Sequence, residues 1–370
     1  MRVAIVHERF TIRGGAERVV EELHHMYPAA TIHAAVVDRS VLSPALADAD
    51  FRTTGLQRLY RGGDRYQHLL PLLPLAFSRM DLSGVDLVLC SHYAFANRVR
   101  PPPGVPVISY THSPARWIWD PTMRLGERGG RGTARALGAF AASQRRADRR
   151  AAGRLAAVVA NSRHVADRIE RWWGRSATVV HPPVDVDWFT PETSAPREDF
   201  FLVAGRLVPY KKALVAVAAA AQAGVRLVVA GEGRQLDQAR AAAGPRTEIM
   251  GRVDRETLRE LYRRCRALVF PGEEDFGIVP VEAQACGAPV IAPAAGGVLE
   301  SVDDSTGVLY RAPDQGPAEV AALADALGSF DPARFDPATI RRKAEDFAPE
   351  RFRAQLLEAV DRTLREVRSG

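Results

Sequence analysis

Short apolar runs alternate along this chain with longer segments in which apolar positions recur every three or four residues. The first pair is the run at residues 2–7 and the amphipathic segment at 16–26. Short apolar runs bounded by turn residues predict buried strands, and the longer period predicts helices. Strands that alternate with helices are typical of parallel sheets with helices on both faces.

The pattern continues to Pro182 and Pro183 and then begins again. The further strands predicted before this point are residues 31–37, 85–90, 105–110, 157–160 and 177–181. Those predicted after it are residues 200–204, 226–230, 247–250, 266–270 and 289–292. Helices are predicted between most of these strands, and a final helix at about 349–367.

A length of 370 residues suits two domains. We predict one α/β, Rossmann-like domain from residues 1–182 together with a C-terminal helix at about 349–370, and a second from residues 183–348. The proline-rich stretch at 182–198 predicts a stiff link between them. Open parallel sheets bind ligands at the carboxyl ends of their strands, so both sheets are expected to face a cleft between the domains.

The charge is distributed unevenly. Residues 1–182 carry 26 basic and 15 acidic side chains, whereas residues 183–370 carry 24 basic and 29 acidic ones. The basic first half indicates an anionic partner, or else a solvated arginine-rich surface. Only Lys211, Lys212 and Lys343 are lysines, so the adjacent pair calls for a local explanation.

Composition favours an intracellular protein. Cys90, Cys265 and Cys286 have neither disulfide nor metal spacing, which is typical of a reducing compartment. No apolar run has transmembrane length and no signal peptide is evident, so we expect a cytoplasmic protein. No pattern indicates a nucleic-acid partner.

Two acids frame a turn between a strand and a helix. Glu274 and Glu282 stand on either side of Phe276, Gly277 and Ile278, directly after the strand predicted at 266–270. A helix start offers free N–H groups that suit a phosphate. Ionised carboxylates accept hydrogen bonds from sugar hydroxyls. A phosphate beside two polyols predicts a nucleotide-sugar.

Other strand ends carry complementary groups. Arg206 and Lys211 share one strand-to-helix loop, so both could reach one diphosphate without a metal. Gly14 and Gly15 follow the first strand, and His112 follows the strand predicted at 105–110. A nucleotide base could rest near Val253 and bond to main-chain groups.

Asp185 and Asp187 form the Asp-x-Asp pattern of metal-dependent sugar transferases. They lie in the predicted link between the domains and not at a strand end. We therefore predict no metal site and no cofactor, with the nucleoside-diphosphate sugar as co-substrate.

Together these features resemble the family-4 retaining glycosyltransferases of GT-B fold. The residues that carry the resemblance are Gly14, Gly15, Glu17, His112, Asn161, Ser162, Arg206, Lys211, Glu274, Phe276, Gly277 and Glu282. The resemblance spans nearly the whole chain, including the last helix, which in such enzymes crosses back to the first domain. Residues 110–120 and 205–210 are similar to bacterial mannosyltransferases of O-antigen and polysaccharide assembly.

The resemblance implies a role for each donor-site residue. Glu274 would hold hydroxyls of the transferred sugar, and Glu282 would bind the ribose. Arg206 and Lys211 would clamp the diphosphate. Main-chain N–H groups of residues 276–278 would contact sugar or phosphate.

In the first domain, Gly14 and Gly15 would approach the diphosphate and His112 would face the transferred sugar. The resemblance also implies a metal-free, front-face displacement with GDP-mannose as donor, and a first domain that binds the acceptor. The arginine-rich stretch 124–154 and the apolar run 69–75 then suggest a lipid-linked or otherwise anionic acceptor, reached from the inner face of a membrane.

Two other readings stay open. One is a different GT-B enzyme, such as a nucleotide-sugar epimerase or a phosphorylase, although a phosphorylase needs a cofactor lysine and only Lys343 lies outside the Arg206–Lys211 loop. The other is a two-lobed protein that binds nucleotide-sugars without catalysis.

Overall fold

The chain forms two compact units. A computed structural model describes residues 1–121, 131–192, 196–311 and 316–369. The first unit is Met1–Pro183 with Pro349–Gly370, and the second is Val184–Ala348. Each is built on one parallel sheet, so the prediction of two α/β units is confirmed.

The first sheet has the strand order β3-β2-β1-β4-β5-β6-β7 and the second has the order β10-β9-β8-β11-β12-β13. The strands of the first are β1 (Val3–His7), β2 (Thr31–Ala34), β3 (Phe51–Thr53), β4 (Leu87–His92), β5 (Val107–Thr111), β6 (Ala157–Ala160) and β7 (Thr178–Val179). Those of the second are β8 (Phe201–Ala204), β9 (Leu227–Ala230), β10 (Thr247–Gly251), β11 (Ala267–Val269), β12 (Val290–Pro293) and β13 (Gly307–Tyr310).

Helices connect most of these strands. They are α1 (Gly15–Met26), α2 (Leu73–Ser78), α3 (Arg116–Trp119), α4 (Arg131–Ala152), α5 (Arg163–Trp173), α6 (Ala213–Ala223), α7 (Leu236–Ala242), α8 (Arg255–Arg264), α9 (Ile278–Ala285), α10 (Pro317–Gly328), α11 (Pro337–Ala344) and α12 (Pro349–Ser369). No helix within the described ranges has the length and apolar character that a bilayer crossing needs.

Both faces of each sheet are covered, which explains why the strands are apolar without alternation. In β1, Ala4 and Val6 belong to one core and Val3 and Ile5 to the other. Successive strand residues point to opposite faces, so a strand covered on both sides needs apolar residues at every position.

Sequence analysis missed two strands at the edges of the sheets, β3 and β13. β3 has three residues, of which only Phe51 is partly buried, so it carries no apolar run. The strand predicted at 31–37 is also shorter in the structure, because β2 ends at Ala34.

The last helix, α12, packs on the first unit, as predicted. Phe352, Leu356, Ala359 and Val360 join the core formed by β1 and α1. Their spacing places them on one helical face. The ring of Phe352 lies 5.4 Å from that of Tyr110 in β5.

One buried carboxylate ties two loops of the first unit together. Glu8 follows β1, and its Oε1 accepts hydrogen bonds from the backbone N–H groups of Ala94, Phe95 and Ala96 at 2.8, 2.7 and 2.8 Å. Burial raises the pKa of Glu8, but His92 and the N–H groups of Ala96 and Ala94 lower it more, so the net pKa lies below the usual 4.5. The loop after β4 is thereby held against the end of β1.

We expect Glu8→Ala to lower the free energy of unfolding of the first unit by about 3 kcal/mol, because three buried N–H groups lose a charged acceptor. A carboxyl with a lowered pKa stabilises the fold above its unfolded pKa, and this contribution disappears as the pH falls through the folded pKa. The difference between variant and wild type should therefore shrink in acid.

Urea unfolding followed by tryptophan fluorescence measures this free energy of unfolding, since four of the five tryptophans lie in the first unit. Glu358→Ala, on the exposed face of α12, is the control and should change stability by less than about 0.5 kcal/mol. Equal stability of the Glu8 and Glu358 variants would contradict the proposed anchor.

Candidate active site

In the second unit, four loops at the carboxyl ends of β8, β9, β11 and β12 pack directly on one another. Three glycines make this possible, because a side chain there would collide with the facing loop. A Cβ at Gly231 would lie 1.8 Å from the carbonyl oxygen of Gly205. A Cβ at Gly272 would lie 2.7 Å from that of Tyr210, and a Cβ at Gly297 would lie 2.2 Å from that of Asp275. Real Cβ atoms do not come this close, so the packing requires glycine.

An ion pair joins two of these loops. Lys211 follows β8, Glu274 follows β11, and the Nζ of Lys211 lies 2.5 Å from the Oε1 of Glu274. The side chains are only 17% and 18% exposed. Together with Arg206 they line one small pocket. Three of the four charged residues predicted to converge therefore line one pocket, and their role in binding a donor stays a prediction.

The pair keeps Lys211 charged. Burial lowers the pKa of its ammonium group, but Glu274 and then Tyr210 raise it, and the net pKa lies above the usual 10.5. The ammonium of Lys211 is therefore charged in the structure, and the carboxylate of Glu274 balances this charge.

The neighbouring Lys212 shapes the loop that carries Lys211. Its φ of +54° lies in the left-handed region, which residues other than glycine rarely adopt. Its Nζ donates to the carboxylate of Glu319, a side chain only 2% exposed on α10. This pair explains the second lysine of the unusual Lys211-Lys212 sequence, since it anchors the loop.

Glu282 lies on α9 and does not line the pocket shared by Lys211 and Glu274. Its Oε2 accepts a hydrogen bond of 3.2 Å from the hydroxyl of Tyr262, and both residues are buried. α9 begins at Ile278, directly after Gly277, whose φ is +92°. Phe276 is buried, with its ring 5.3 Å from that of Phe347.

The loop predicted to hold the nucleotide base follows β10. Gly251 has a φ of +74°, and its carbonyl oxygen accepts a 2.7 Å hydrogen bond from the backbone N–H of Gly231. Val253 is partly buried against the core of the unit. The loops after β9 and β10 are therefore held side by side.

In the first unit, predicted site residues lie at the ends of β1 and β5. Gly14 is the N-cap of α1 and Gly15 its first residue. His112 follows β5, and its Nε2 lies 2.8 Å from the Oγ of Ser91. Ser162 caps α5 by accepting from the N–H of Val165, a structural role.

Asp185 has local partners. It accepts from the N–H of Trp188 at 3.1 Å and pairs with Arg255. Over the part of the chain that the structure describes, no group of three or more His, Cys, Asp or Glu side chains could hold a metal ion. The absence of a metal or cofactor in the reaction stays a prediction.

Comparison with known families covers most of the chain. The Glycosyltransferase Family 4 model matches residues 13–188, and the Glycosyl transferases group 1 model matches residues 187–328. Solved structures of GT-B glycosyltransferases have the same fold over nearly the entire chain. Sucrose-phosphate synthase from Thermosynechococcus elongatus has a TM-score of 0.72 at 18% identity, covering 99% of this chain and 100% of its own.

The chain belongs to the family-4 glycosyltransferases of GT-B fold.

A second structure with this fold is Anabaena Alr3699/HepE in complex with UDP and glucose, with a TM-score of 0.69 at 19% identity, covering 98% of this chain and 99% of its own. Among curated sequences, the D-inositol 3-phosphate glycosyltransferase of Mycobacterium sp. (strain JLS) is 38% identical over 192 residues, which are 46% of this chain and 42% of that protein. The chain thus spans less than half the length of this curated relative. The similarity to mannosyltransferases stays a prediction.

Sequence analysis of this family-4 glycosyltransferase overlooked His7, Ser91 and Glu319. His7 ends β1 and stands in register with Ser91 near the end of β4. The rule that identified His112, a polar residue at the carboxyl end of a strand, could have identified both. The partner of Lys212 carried no such signal, because Glu319 lies 107 positions away on a helix.

We expect Glu274→Gln to lower the pKa of Lys211, because burial would then act on the ammonium without the opposing carboxylate. The chain has three lysines, so reductive methylation with ¹³C followed by an NMR pH titration would resolve each one. Lys343, which pairs with Asp303 at 3.2 Å, is the internal control and should titrate as in wild type. An unchanged Lys211 titration would show that the pair does not form in solution.

Proposed function

We propose that the chain is a retaining glycosyltransferase that moves a hexose from a nucleoside-diphosphate sugar to an acceptor hydroxyl. The observation that carries this proposal is the pocket shared by Arg206, Lys211 and Glu274. It combines two cations for a diphosphate with one carboxylate for sugar hydroxyls, at strand ends where open sheets bind ligands. Membership of family 4 supports the same activity.

The two cations would stabilise the leaving group. When the bond between the sugar C1 and the diphosphate oxygen breaks, negative charge develops on the diphosphate. Preorganised charges that meet this charge lower the barrier without reorganisation. The ammonium of Lys211 suits this role because Glu274 keeps it charged, and Arg206 adds a planar donor group.

Glu274 would change partners when the donor binds. In the structure its Oε1 is taken by Lys211, so the pocket carries a neutralised pair. A bound diphosphate would take over Lys211, and the carboxylate would accept hydrogen bonds from hydroxyls of the sugar. Glu282 would bind the ribose, and the loop with Val253 the base.

The reaction would be a front-face displacement without a metal. The acceptor oxygen would form a bond to C1 on the face from which the diphosphate departs, so the anomeric configuration is kept. The proton of the acceptor hydroxyl would pass to the departing phosphate. No side chain is assigned as nucleophile.

Two donors are candidates. GDP-mannose is implied by the similarity to bacterial mannosyltransferases, and a UDP-sugar is suggested by the UDP and glucose bound to Alr3699/HepE. A thermal-shift panel of nucleoside diphosphates and their sugars separates the two, since a ligand that binds only the folded state raises its melting temperature.

We expect Lys211→Ala to lower the rate of transfer by two to three decades, roughly the effect of one preorganised donor. Glu274→Ala should abolish transfer but leave binding of the free nucleoside diphosphate largely intact, because within the bound donor Glu274 would contact only the sugar while Lys211 pairs with the diphosphate. Transfer is measured with the donor that the panel selects, in the presence of a chelator, and binding by calorimetry.

Lys343→Ala, which removes the third lysine, is the control and should keep wild-type transfer. Normal turnover of Lys211→Ala would refute the role of the pocket. Nucleotide-sugar binding without transfer or donor hydrolysis would instead favour a binding protein.

We further propose that the enzyme acts on a lipid-linked or otherwise anionic acceptor at the cytoplasmic face of a membrane. Arg146 and Arg150 are exposed on one face of α4, and Leu72 and Leu75 are 45% and 50% exposed. Other side chains of residues 124–154 and 69–75 pack within the unit. Arg145 donates to the carbonyl of Ile118, and Leu69 and Leu73 are buried. Residues 124–130 lie outside the described residues.

We expect wild type to float with anionic vesicles at low salt and to be released at high salt, since exposed charges are screened. Arg146→Glu with Arg150→Glu should abolish flotation, whereas Arg365→Glu with Arg368→Glu, an equal charge change on exposed positions of α12, should not. Wild type that fails to float would refute membrane association but not transfer to a soluble acceptor.

A further inference from the structure

Four side chains of the first unit form a continuous chain of contacts that ends at His112. The Oε1 of Glu17, in the first turn of α1, lies 3.4 Å from the Nε2 of His7. The Nδ1 of His7 lies 3.0 Å from the Oγ of Ser91, and this Oγ lies 2.8 Å from the Nε2 of His112. The register of β1 and β4 places His7 and Ser91 side by side.

The first three members are almost completely enclosed. His7 and Ser91 are 0% exposed and Glu17 is 5% exposed. His112 is partly exposed, and among the described residues no hydrogen bond reaches its Nδ1. The Nδ1 is therefore the ring nitrogen that a ligand could meet.

The carboxylate determines the direction of the hydrogen bonds. An ionised carboxylate only accepts, so the Nε2 of His7 donates to Glu17. The Nε2 of His7 lies 3.4 Å from this carboxylate, and in a neutral imidazole of this orientation Nε2 carries the only ring proton. Its Nδ1 then accepts from the hydroxyl of Ser91, and the Oγ of Ser91 accepts from the Nε2–H of His112.

We propose that Glu17, His7 and Ser91 are positioning residues that hold His112 in its Nε2–H tautomer. The Nδ1 lone pair of His112 is then presented as a hydrogen-bond acceptor for a hydroxyl of a bound sugar, which rests on the proposed transferase function and on the sugar-facing role that the family resemblance implies for His112. The network thus selects ligands with a hydroxyl donor at this position and disfavours those that offer only an acceptor.

The surroundings of His112 agree with a neutral imidazole. Burial lowers its pKa to about 3, and His7 and His92 add to this effect while Glu8 opposes it. The rings of Tyr110 and Tyr93 lie 5.2 and 6.3 Å from that of His112 and restrict its orientation. A neutral imidazole must carry its single proton on one nitrogen, so the network decides which.

The test is ¹⁵N NMR of the protein labelled at its nine histidines, with the His112 signals assigned from a His112→Gln variant. We expect wild-type His112 to carry its proton on Nε2. In Ser91→Ala the buried Nε2–H loses its acceptor, so the Nδ1–H form should become populated. In Glu17→Ala the direction of the chain is no longer imposed, and the same shift is expected.

Ser109→Ala is the matched control, because Ser109 is buried on the neighbouring strand β5 and contacts Thr111 instead. It should leave the tautomer unchanged. A wild-type Nδ1–H form, as a charged His7 would impose, overturns the proposal. So does a wild-type tautomer in either the Ser91 or the Glu17 variant, once melting curves show that it is folded.

Transfer assays add an independent measurement. Loss of the acceptor for His112 in Ser91→Ala should lower the rate about tenfold, the scale of one neutral hydrogen bond. Ser91→Thr keeps the hydroxyl and should retain both the tautomer and the rate. The NMR result does not depend on any substrate, so the network can fail while transfer persists, and transfer can fail while the network stands.

Discussion

The ion pair between Lys211 and Glu274 is the contact on which the proposed donor pocket depends. It joins loops that leave different strands, and it forms only because Gly272 lets the backbone of one loop lie against the other. The pair places opposite charges at the strand ends without leaving either one unpaired, which a partly buried site would tolerate poorly. The pocket thus combines the charges that the proposed nucleoside-diphosphate sugar would need.

In the first unit, a more deeply buried carboxylate likewise connects two loops. Glu8 accepts several backbone N–H groups of the loop after β4. The neighbouring residues His7 and Ser91 are held in register beside this anchor. A buried carboxylate therefore organises each of these strand ends, in one case through an ammonium group and in the other through main-chain amides.

Membership of family 4 accounts for the fold, while individual side chains determine the local geometry of the loops. The lysine at position 212 adopts a backbone conformation that favours glycine, and its pairing with the buried Glu319 offsets that strain. The arginines of α4 divide between exposed positions and positions that hold the neighbouring helix. Composition alone cannot separate such roles, because both need the same residue type.

The sequence by itself determined the fold class, the restart of the pattern near Pro183 and the strand ends that carry Arg206, Lys211, Glu274 and His112. These follow from local periodicity and from the rule that ligands bind at carboxyl ends of strands. Only the tertiary structure decided which of these residues meet. Lys211 and Glu274 are 63 positions apart, and His7 and Ser91 are 84 apart, so their contacts depend on strand order and register. The edge strand β3 escaped prediction for a related reason, since this short strand is defined by its pairing with β2 and not by its own apolar pattern.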